Sequence, residues 1–242
     1  MLQALWLRIP KHFQSCIILT AVNLCVLGYR NFIVGNHVFC FLKSNLFIGS
    51  LPPLILAAVI QHYQTKLKPF LFWFLTLLWV LFYPNAPYMI SDLIHDSSDP
   101  LNSTNPEMIV FDTLIIFSIA MLSVYYGLLS LKIMYKVFKQ KYSRAFADSA
   151  ITITIILSCL GFYMGREMVS AVKLGNGYMY SWEIFIDPGK IISAVWDLLF
   201  PIGVHKAAYY MMILFGIVQA MLLVIFKDIS DIKTQDINIE NK

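Results

Sequence analysis

Three titratable side chains follow one another at helical spacing after a long apolar stretch. Asp92, His95 and Asp96 end the run FYPNAPYMISDLIHD, which starts at Phe82. If the chain is helical from about Pro87, the i, i+3 and i+4 spacing puts the three side chains on one face. A carboxylate beside an imidazole can move protons or hold a metal ion. The run therefore predicts a polar site centred on Asp92 and His95.

Further charged side chains stand at the ends of apolar stretches and are candidate partners. Asp112 enters one such stretch, although the favourable helix dipole at a helix N-terminus is by itself a sufficient explanation for it. Arg166 and Glu167 close another stretch, and the Arg166 guanidinium is able to pair with Asp92, Asp112 or Glu183. Because unpaired charges inside a membrane are costly, we expect these groups to be paired.

The kind of site stays open at this stage. A metal centre would use Asp92 and His95, joined by Asp96 and by Asp112 or Glu183, but the chain has no HExxH or comparable spacing, and no cofactor is implied. In a simpler interpretation, the PNAP sequence only breaks a helix at the membrane surface. Asp92 and His95 are then solvated beyond the break.

The composition is that of an integral membrane protein. Of the 242 residues, 59% are hydrophobic and 13% are charged, and the mean hydropathy is +0.69. The net charge of +4 does not indicate nucleic-acid binding, because the basic residues lie between apolar stretches and form no stripe. The lipid bilayer is therefore the first expected partner.

Six apolar stretches approach the length of about 20 residues that a membrane-spanning helix needs. The predicted fold is an all-α, multi-pass helix bundle. In the first span, Arg30 is expected to extend its charged end to the membrane surface. In the second, Pro52 and Pro53 remove backbone donors and are expected to kink the helix. The six stretches are about 15–34, 46–62, 69–88, 109–134, 149–165 and 207–226.

The distribution of lysine and arginine predicts the orientation. These residues collect before the first span, between the second and third, between the fourth and fifth, and after the sixth. By the positive-inside rule, both termini are cytoplasmic and Asp92 lies on the extracytoplasmic side. The resulting division is a cytoplasmic segment 1–14, one membrane domain 15–226 with outer loops at about 89–108 and 167–206, and a polar tail 227–242.

Several runs resemble a known family. PNAPYMISDLIHD, from Pro84 to Asp96, resembles the signature of the bacterial integral-membrane family called domain of unknown function thirteen sixty-one. The resemblance extends over most of the chain from about Phe41, through FLKSNLFIGSLPP, GLLSLKIMY, GFYMGREM and SWEIFIDP. It implies no activity. The recurrent positions that it implies are Asn85, Pro87, Tyr88, Asp92, His95, Arg166 and Trp182, and Glu183 replaces an expected aspartate.

These observations predict a multi-pass plasma-membrane protein with a polar cup on its extracytoplasmic side. The floor of the cup is formed by helix ends, and its cover by the loop that carries Trp182 and Glu183. Asn85 is expected to cap the helix or turn that follows it. The expected binding residues are Asn85, Tyr88, Asp96, Asp112, Glu167, Trp182 and Glu183.

Three functions are compatible with such a cup. In the favoured one, the cup binds a lipid headgroup or an envelope protein, or serves as a structural ion-pair network. In the alternative, a membrane enzyme acts on a lipid or lipid-linked substrate, with Asp92 and His95 as its acid/base pair and Arg166 holding an anionic group. Transport of a small solute is less favoured, since the spans contain almost no charged residues.

Overall fold

The computed structural model describes residues 10–34, 40–98, 106–173, 189, 210 and 212–225. Every regular element in this part of the chain is helical. Five helices are long and apolar enough to cross a membrane, and a shorter apolar helix covers Met212–Ile225. The prediction of an all-α, multi-pass membrane protein is confirmed. The five candidate spans are Phe13–Ile33, Leu42–Tyr63, Pro69–Leu93, Glu107–Lys141 and Arg144–Phe162.

The helices differ in type as well as in length. The α-helices are α1 (Lys11–Val34), α2 (Cys40–Ser44), α3 (Leu51–Tyr63), α4 (Pro69–Phe82), α5 (Asn85–Tyr88), α6 (Pro106–Lys141), α7 (Arg144–Lys173) and α8 (Met212–Ile225). A π-helix covers Asn45–Ser50 between α2 and α3, and a 3₁₀ helix covers Met89–Ser98 after α5. The second and third spans are therefore each built from several helical segments.

The second span changes helix type at its prolines, where an interruption was predicted. Pro52 and Pro53 have no N–H group to donate, and they occupy the first turn of α3, where no donor is needed. The preceding turns widen into the π-helix, in which the Leu51 N–H donates to the Leu46 carbonyl oxygen. The Ser50 hydroxyl lies 3.3 Å from the Asn45 carbonyl oxygen, within hydrogen-bond distance. The Leu46 carbonyl oxygen thus accepts from a donor five residues later, which is the spacing of a π-helix.

The third span stays helical beyond its predicted end at Tyr88. A turn at Tyr83 and Pro84 separates α4 from α5, and the chain continues directly into the 3₁₀ helix as far as Ser98. The expectation that Asn85 caps a helix is wrong. Pro84 is the N-cap residue of α5, its end has no side-chain cap, and Asn85 is the first residue inside the helix.

Two glycines allow α5 to approach its neighbours closely. A Cβ atom added to Gly127 of α6 would lie 3.2 Å from the Ala86 Cβ and 3.6 Å from the Pro87 Cδ. A Cβ atom added to Gly49 of the π-helix would lie 3.3 Å from the Asn85 Cβ. The PNAP segment is therefore packed between the second and fourth spans, rather than projecting from the end of the third.

One face of α6 forms the centre of this packing. Its buried residues recur at intervals of three or four, as expected for a helix stripe that faces other helices. They are Asp112, Ile116, Ile119, Ser123, Gly127, Ser130 and Met134. Polar side chains therefore lie at several levels of an otherwise apolar face.

The chain divides into two compact units, 1–151 and 152–242. The first contains every segment described above from α1 to α6. In the second, Ser158 of α7 forms hydrogen bonds with Gln219 of α8 at 2.9 and 3.0 Å. The Phe162 and Phe215 rings stack with their centroids 4.3 Å apart. These contacts join α8 to the C-terminal part of α7.

Candidate functional site

A buried ion pair joins the first and fourth spans. The Arg30 Nε donates to Asp112 Oδ1 at 3.0 Å, and Arg30 Nη2 donates to Asp112 Oδ2 at 2.8 Å. Both side chains have 0% exposure. Two parallel hydrogen bonds between a guanidinium and a carboxylate fix geometry as well as charge. The pair therefore sets how α1 and α6 align.

This pair corrects two expectations. Arg30 does not extend its charged end out of the protein, because its side chain is fully buried against Asp112. Asp112, for which Arg166 was one expected partner, is paired with Arg30. The helix dipole does not explain Asp112 either. The helix α6 begins at Pro106, so Asp112 lies beyond the first turn, where the dipole mainly acts. The expectation that Asp112 is paired is confirmed.

Asp92 is buried rather than solvated. Its side chain lies in the 3₁₀ helix and is 2% exposed. The Asn45 Nδ2 in the π-helix donates to Asp92 Oδ2 at 3.1 Å. The simpler interpretation, in which Asp92 extends into solvent beyond a helix break, is therefore wrong. The bond instead links the polar end of the third span to the second span.

A small hydroxyl cluster lies between the proline break and the Asp92 centre. The Ser123 hydroxyl of α6 donates to the Ala86 carbonyl oxygen at 2.7 Å and also forms a hydrogen bond with the Ser50 hydroxyl. Ser50 belongs to the same π-helix as Asn45 and lies within hydrogen-bond distance of the Asn45 carbonyl oxygen. Polar contacts thus run from the PNAP segment through the π-helix to Asp92.

The 3₁₀ conformation changes which positions share a face. A 3₁₀ helix has three residues per turn, so positions 92 and 95 are aligned along it. Position 96 is rotated from them by about 120°. The prediction that Asp92, His95 and Asp96 share one face was based on α-helical spacing, and it is wrong for position 96. The side chains of His95 and Asp96 lie outside the described part of the structure.

The family model described as "Protein of unknown function (DUF1361)" matches residues 44–222. The chain belongs to this family. Neither the search of curated proteins nor the search of solved structures found a match. The resemblance seen in the PNAPYMISDLIHD run is thereby confirmed, and it comes with no assigned activity.

The region matched by the DUF1361 model contains only part of the polar network. Asn45, Asp92 and Asp112 lie inside the matched residues, whereas Arg30 precedes them. The matched range therefore covers the acidic member of the buried ion pair, and its basic member lies before that range.

Asn85 packs beside Gly49, as described above, and the Tyr88 carbonyl oxygen accepts a hydrogen bond from the Ser91 hydroxyl at 2.6 Å. Arg166 and Glu167 belong to α7, but their side chains are outside the described part. Trp182, Glu183 and the predicted outer loop at about 167–206 are also outside it, apart from the helical residues up to Lys173 and Gly189. Their membership of the polar cup stays a prediction.

Sequence reasoning missed Asn45, Ser50 and Ser123, and it gave Arg30 the wrong role. A signal existed for Arg30: a charged residue within an apolar span requires a partner, and Asp112 is an acidic residue at the edge of another span. For Asn45 and Ser50, the signal was the double proline that follows them, since prolines interrupt backbone hydrogen bonding. Nothing in the spacing of Ser123 distinguishes it from a packed helix serine.

A metal centre at Asp92 and His95 stays a prediction. Among the residues that the structure describes, no group of three or more His, Cys, Asp or Glu side chains is arranged to hold a metal ion. The proposed ligand His95 has a side chain outside that part. Asp92 could contribute one carboxylate ligand, and Asn45 one amide oxygen.

Proposed function

We propose that this chain is a multi-pass protein of a bacterial plasma membrane that binds a lipid or lipid-linked headgroup without converting it. The observation that carries the proposal is the buried Asp92 carboxylate, which accepts a hydrogen bond from Asn45. Burying a carboxylate is costly even when it is hydrogen-bonded, and ionisable groups in membrane helices are by default signs of function. The Asp92 centre is therefore the proposed binding site.

The chemistry of a carboxylate selects the ligand class. An ionised carboxylate only accepts hydrogen bonds and offers about four acceptor positions, so it recognises ammonium and hydroxyl groups. Arg30 and Asp112 are paired with each other, so we assign recognition of the ligand to Asp92. Because Asp92 is only 2% exposed, a ligand donor reaches it by displacing a hydrogen-bond partner such as the Asn45 amide.

The charge distribution supports an extracytoplasmic position for this site. Lys66, Lys68, Lys139 and Lys141 flank the opposite ends of the second, third and fourth spans. Basic residues in short connections remain cytoplasmic. The proposal therefore has both termini in the cytoplasm and the Asp92 centre at the outer surface.

A competition between two lipids of equal charge tests the binding function. Phosphatidylethanolamine carries three N–H donors on its ammonium, and phosphatidylcholine carries none. Native mass spectrometry of the purified full chain with both lipids should show about tenfold stronger binding of phosphatidylethanolamine, the value of one charge-assisted hydrogen bond. Asp92→Asn should remove the preference. Asp148→Asn, at an exposed surface position, is the matched control and should keep it.

Two results would contradict the proposal. One is equal binding of the two lipids by the wild-type protein. The other is a preference for phosphatidylethanolamine that survives in Asp92→Asn while circular dichroism shows native helix content. In either case the buried carboxylate would belong to the helix packing and not to a ligand site.

A membrane enzyme is the second candidate, and one observation favours it. Positions 92 and 95 are aligned on the 3₁₀ helix, which is the arrangement that an Asp/His acid/base pair requires. In this alternative, Arg166 holds the anionic part of a lipid-linked substrate. Incubation of the purified chain with a bacterial lipid extract separates the two functions. Lipid conversion that is lost in both Asp92→Asn and His95→Ala would favour the enzyme, whereas a binding protein leaves the extract unchanged.

A further inference from the structure

Two basic turns lie side by side at the end of the helices opposite to Asp92. One turn connects α3 to α4 and the other connects α6 to α7. The Gln64 Nε2 of the first donates to the Gln140 Oε1 at the end of α6 at 3.1 Å. The Lys141 Nζ lies 4.6 Å from the centroid of the Phe72 ring of α4. These contacts fix two separate parts of the sequence next to each other.

The surface of these turns is strongly basic. We call it the basic end and define it by Lys66, Lys68, Lys139, Lys141 and Arg144, all of which are exposed. No acidic residue occurs in 61–72 or in 132–147. Arg144 has a partner in Asp148 at 3.8 Å, so the other four members carry the excess charge.

Partly exposed aromatic rings lie beside the basic end. The rings of Trp73 and Tyr142 stack with centroids 5.8 Å apart, and both side chains are almost half exposed, at 45% and 44%. The Phe146 ring completes the cluster, 4.8 Å from Tyr142 and 6.3 Å from Trp73. Tryptophan and tyrosine with one exposed edge are typical of the membrane interface.

We propose that the basic end is a binding site for the headgroups of anionic phospholipids in the adjacent leaflet. Four like charges held in or next to two linked turns repel one another, and a phosphate among them would reduce that repulsion while accepting their hydrogen bonds. The Trp73 and Tyr142 rings lie where the glycerol region of the same lipid would be. This site is separate from the Asp92 centre and takes a ligand of the opposite charge.

The test uses the position of Trp73 beside the proposed ligand. The full chain is placed in nanodiscs of phosphatidylcholine with a rising share of brominated phosphatidylglycerol, and the quenching of Trp73 fluorescence is measured. Trp73→Phe supplies the signal of the other tryptophans for subtraction. A reference series with brominated phosphatidylcholine gives the relative affinity of the two lipids.

Charge-removing and charge-keeping variants give opposite expectations. Each basic residue near an anionic surface contributes roughly five-fold to affinity. Lys139→Gln with Lys141→Gln should therefore abolish most of the preference for phosphatidylglycerol. Lys139→Arg with Lys141→Arg should keep it, and so should Lys43→Gln, a partly exposed lysine at the opposite end of the second span. Raising the salt concentration should weaken the preference in the wild-type protein.

The proposal is overturned by a wild-type protein that shows no preference for phosphatidylglycerol. It is also overturned if the glutamine variant keeps the preference, or if the arginine variant loses it as fully as the glutamine variant does. The last result would mean that the preference depends on the shape of the lysine side chains in the local packing and not on their charge. Thermal unfolding of each variant in detergent verifies that the compared proteins are folded.

Discussion

Breaking the buried Arg30–Asp112 pair should be far more costly when one partner is removed than when both are. The relevant substitutions are Arg30→Met and Asp112→Leu, which preserve much of the side-chain volume. Each single substitution leaves a charged group in a site with 0% exposure, next to an apolar side chain. The double substitution removes both charges together.

The magnitude follows from the geometry of the pair. Its two hydrogen bonds of 3.0 and 2.8 Å form a bidentate contact between the guanidinium and the carboxylate. Removing one member of such a pair typically lowers the free energy of unfolding by about 3–5 kcal/mol. The double variant is expected within about 2 kcal/mol of the wild type, because both charges of the pair are replaced together by apolar side chains of similar volume. The coupling free energy between the two sites should therefore be several kcal/mol.

The assay is equilibrium unfolding of the purified protein in mixed micelles, followed by circular dichroism, for the wild type, both single variants and the double variant. Arg144→Met and Asp148→Leu provide a matched second cycle on an exposed pair separated by 3.8 Å. That cycle should give a coupling below about 1 kcal/mol. If the Arg30 and Asp112 effects were additive, the ion pair would not hold the two spans together, and the reasoning would be refuted.

Two further perturbations test the packing around the proline break and the Asp92 centre. Gly127→Ala should lower the free energy of unfolding by about 1–3 kcal/mol, since the added Cβ would lie 3.2 Å from the Ala86 Cβ. Gly28→Ala is the control, because a Cβ added there meets no neighbouring atom within 4 Å, and it should be neutral or slightly stabilising in the same assay. An equal loss of unfolding free energy at both glycines would contradict the packing argument. Asn45→Ala should cost about 1–3 kcal/mol, because buried Asp92 loses a donor. Ethanolamine lipid should then raise the unfolding temperature of Asn45→Ala more than that of the wild type, and a smaller increase would contradict displacement of the amide by a ligand.

The membrane character and the approximate positions of the spans follow from sequence alone. Apolar length and charge content predict a span wherever about 20 apolar residues occur together, and neither depends on the details of packing. The interruption at Pro52 and Pro53 was predictable for the same local reason: proline cannot donate a hydrogen bond. The sequence did not predict that this interruption is a π-helix, because the helix type depends on what the second span contacts.

The partners of the polar residues could not be predicted in the same way. Arg30 and Asp112 are 82 positions apart, and several other carboxylates were available to Arg30. Local periodicity identifies which face of a helix is buried, but it does not say which helix covers that face. Asp92 shows the same limit, since its burial depends on contacts with other spans and its donor comes from the π-helix. The rotation of position 96 away from Asp92 required knowledge of the local helix type.

The π-helix from Asn45 to Ser50 makes the position of Asn45 sensitive to the backbone register of the second span. A π-turn contains one residue more than an α-turn, so a return to α-helical register would rotate everything before it by about 100°. Asn45 would then leave Asp92, while Ser50, at the other end of the π-helix, would stay beside Ser123. The second span therefore contains one wider turn between two α-helical segments. The π-helical register therefore determines whether the Asn45 amide meets the Asp92 carboxylate, whereas the packing of the helix after Ser50 does not depend on it.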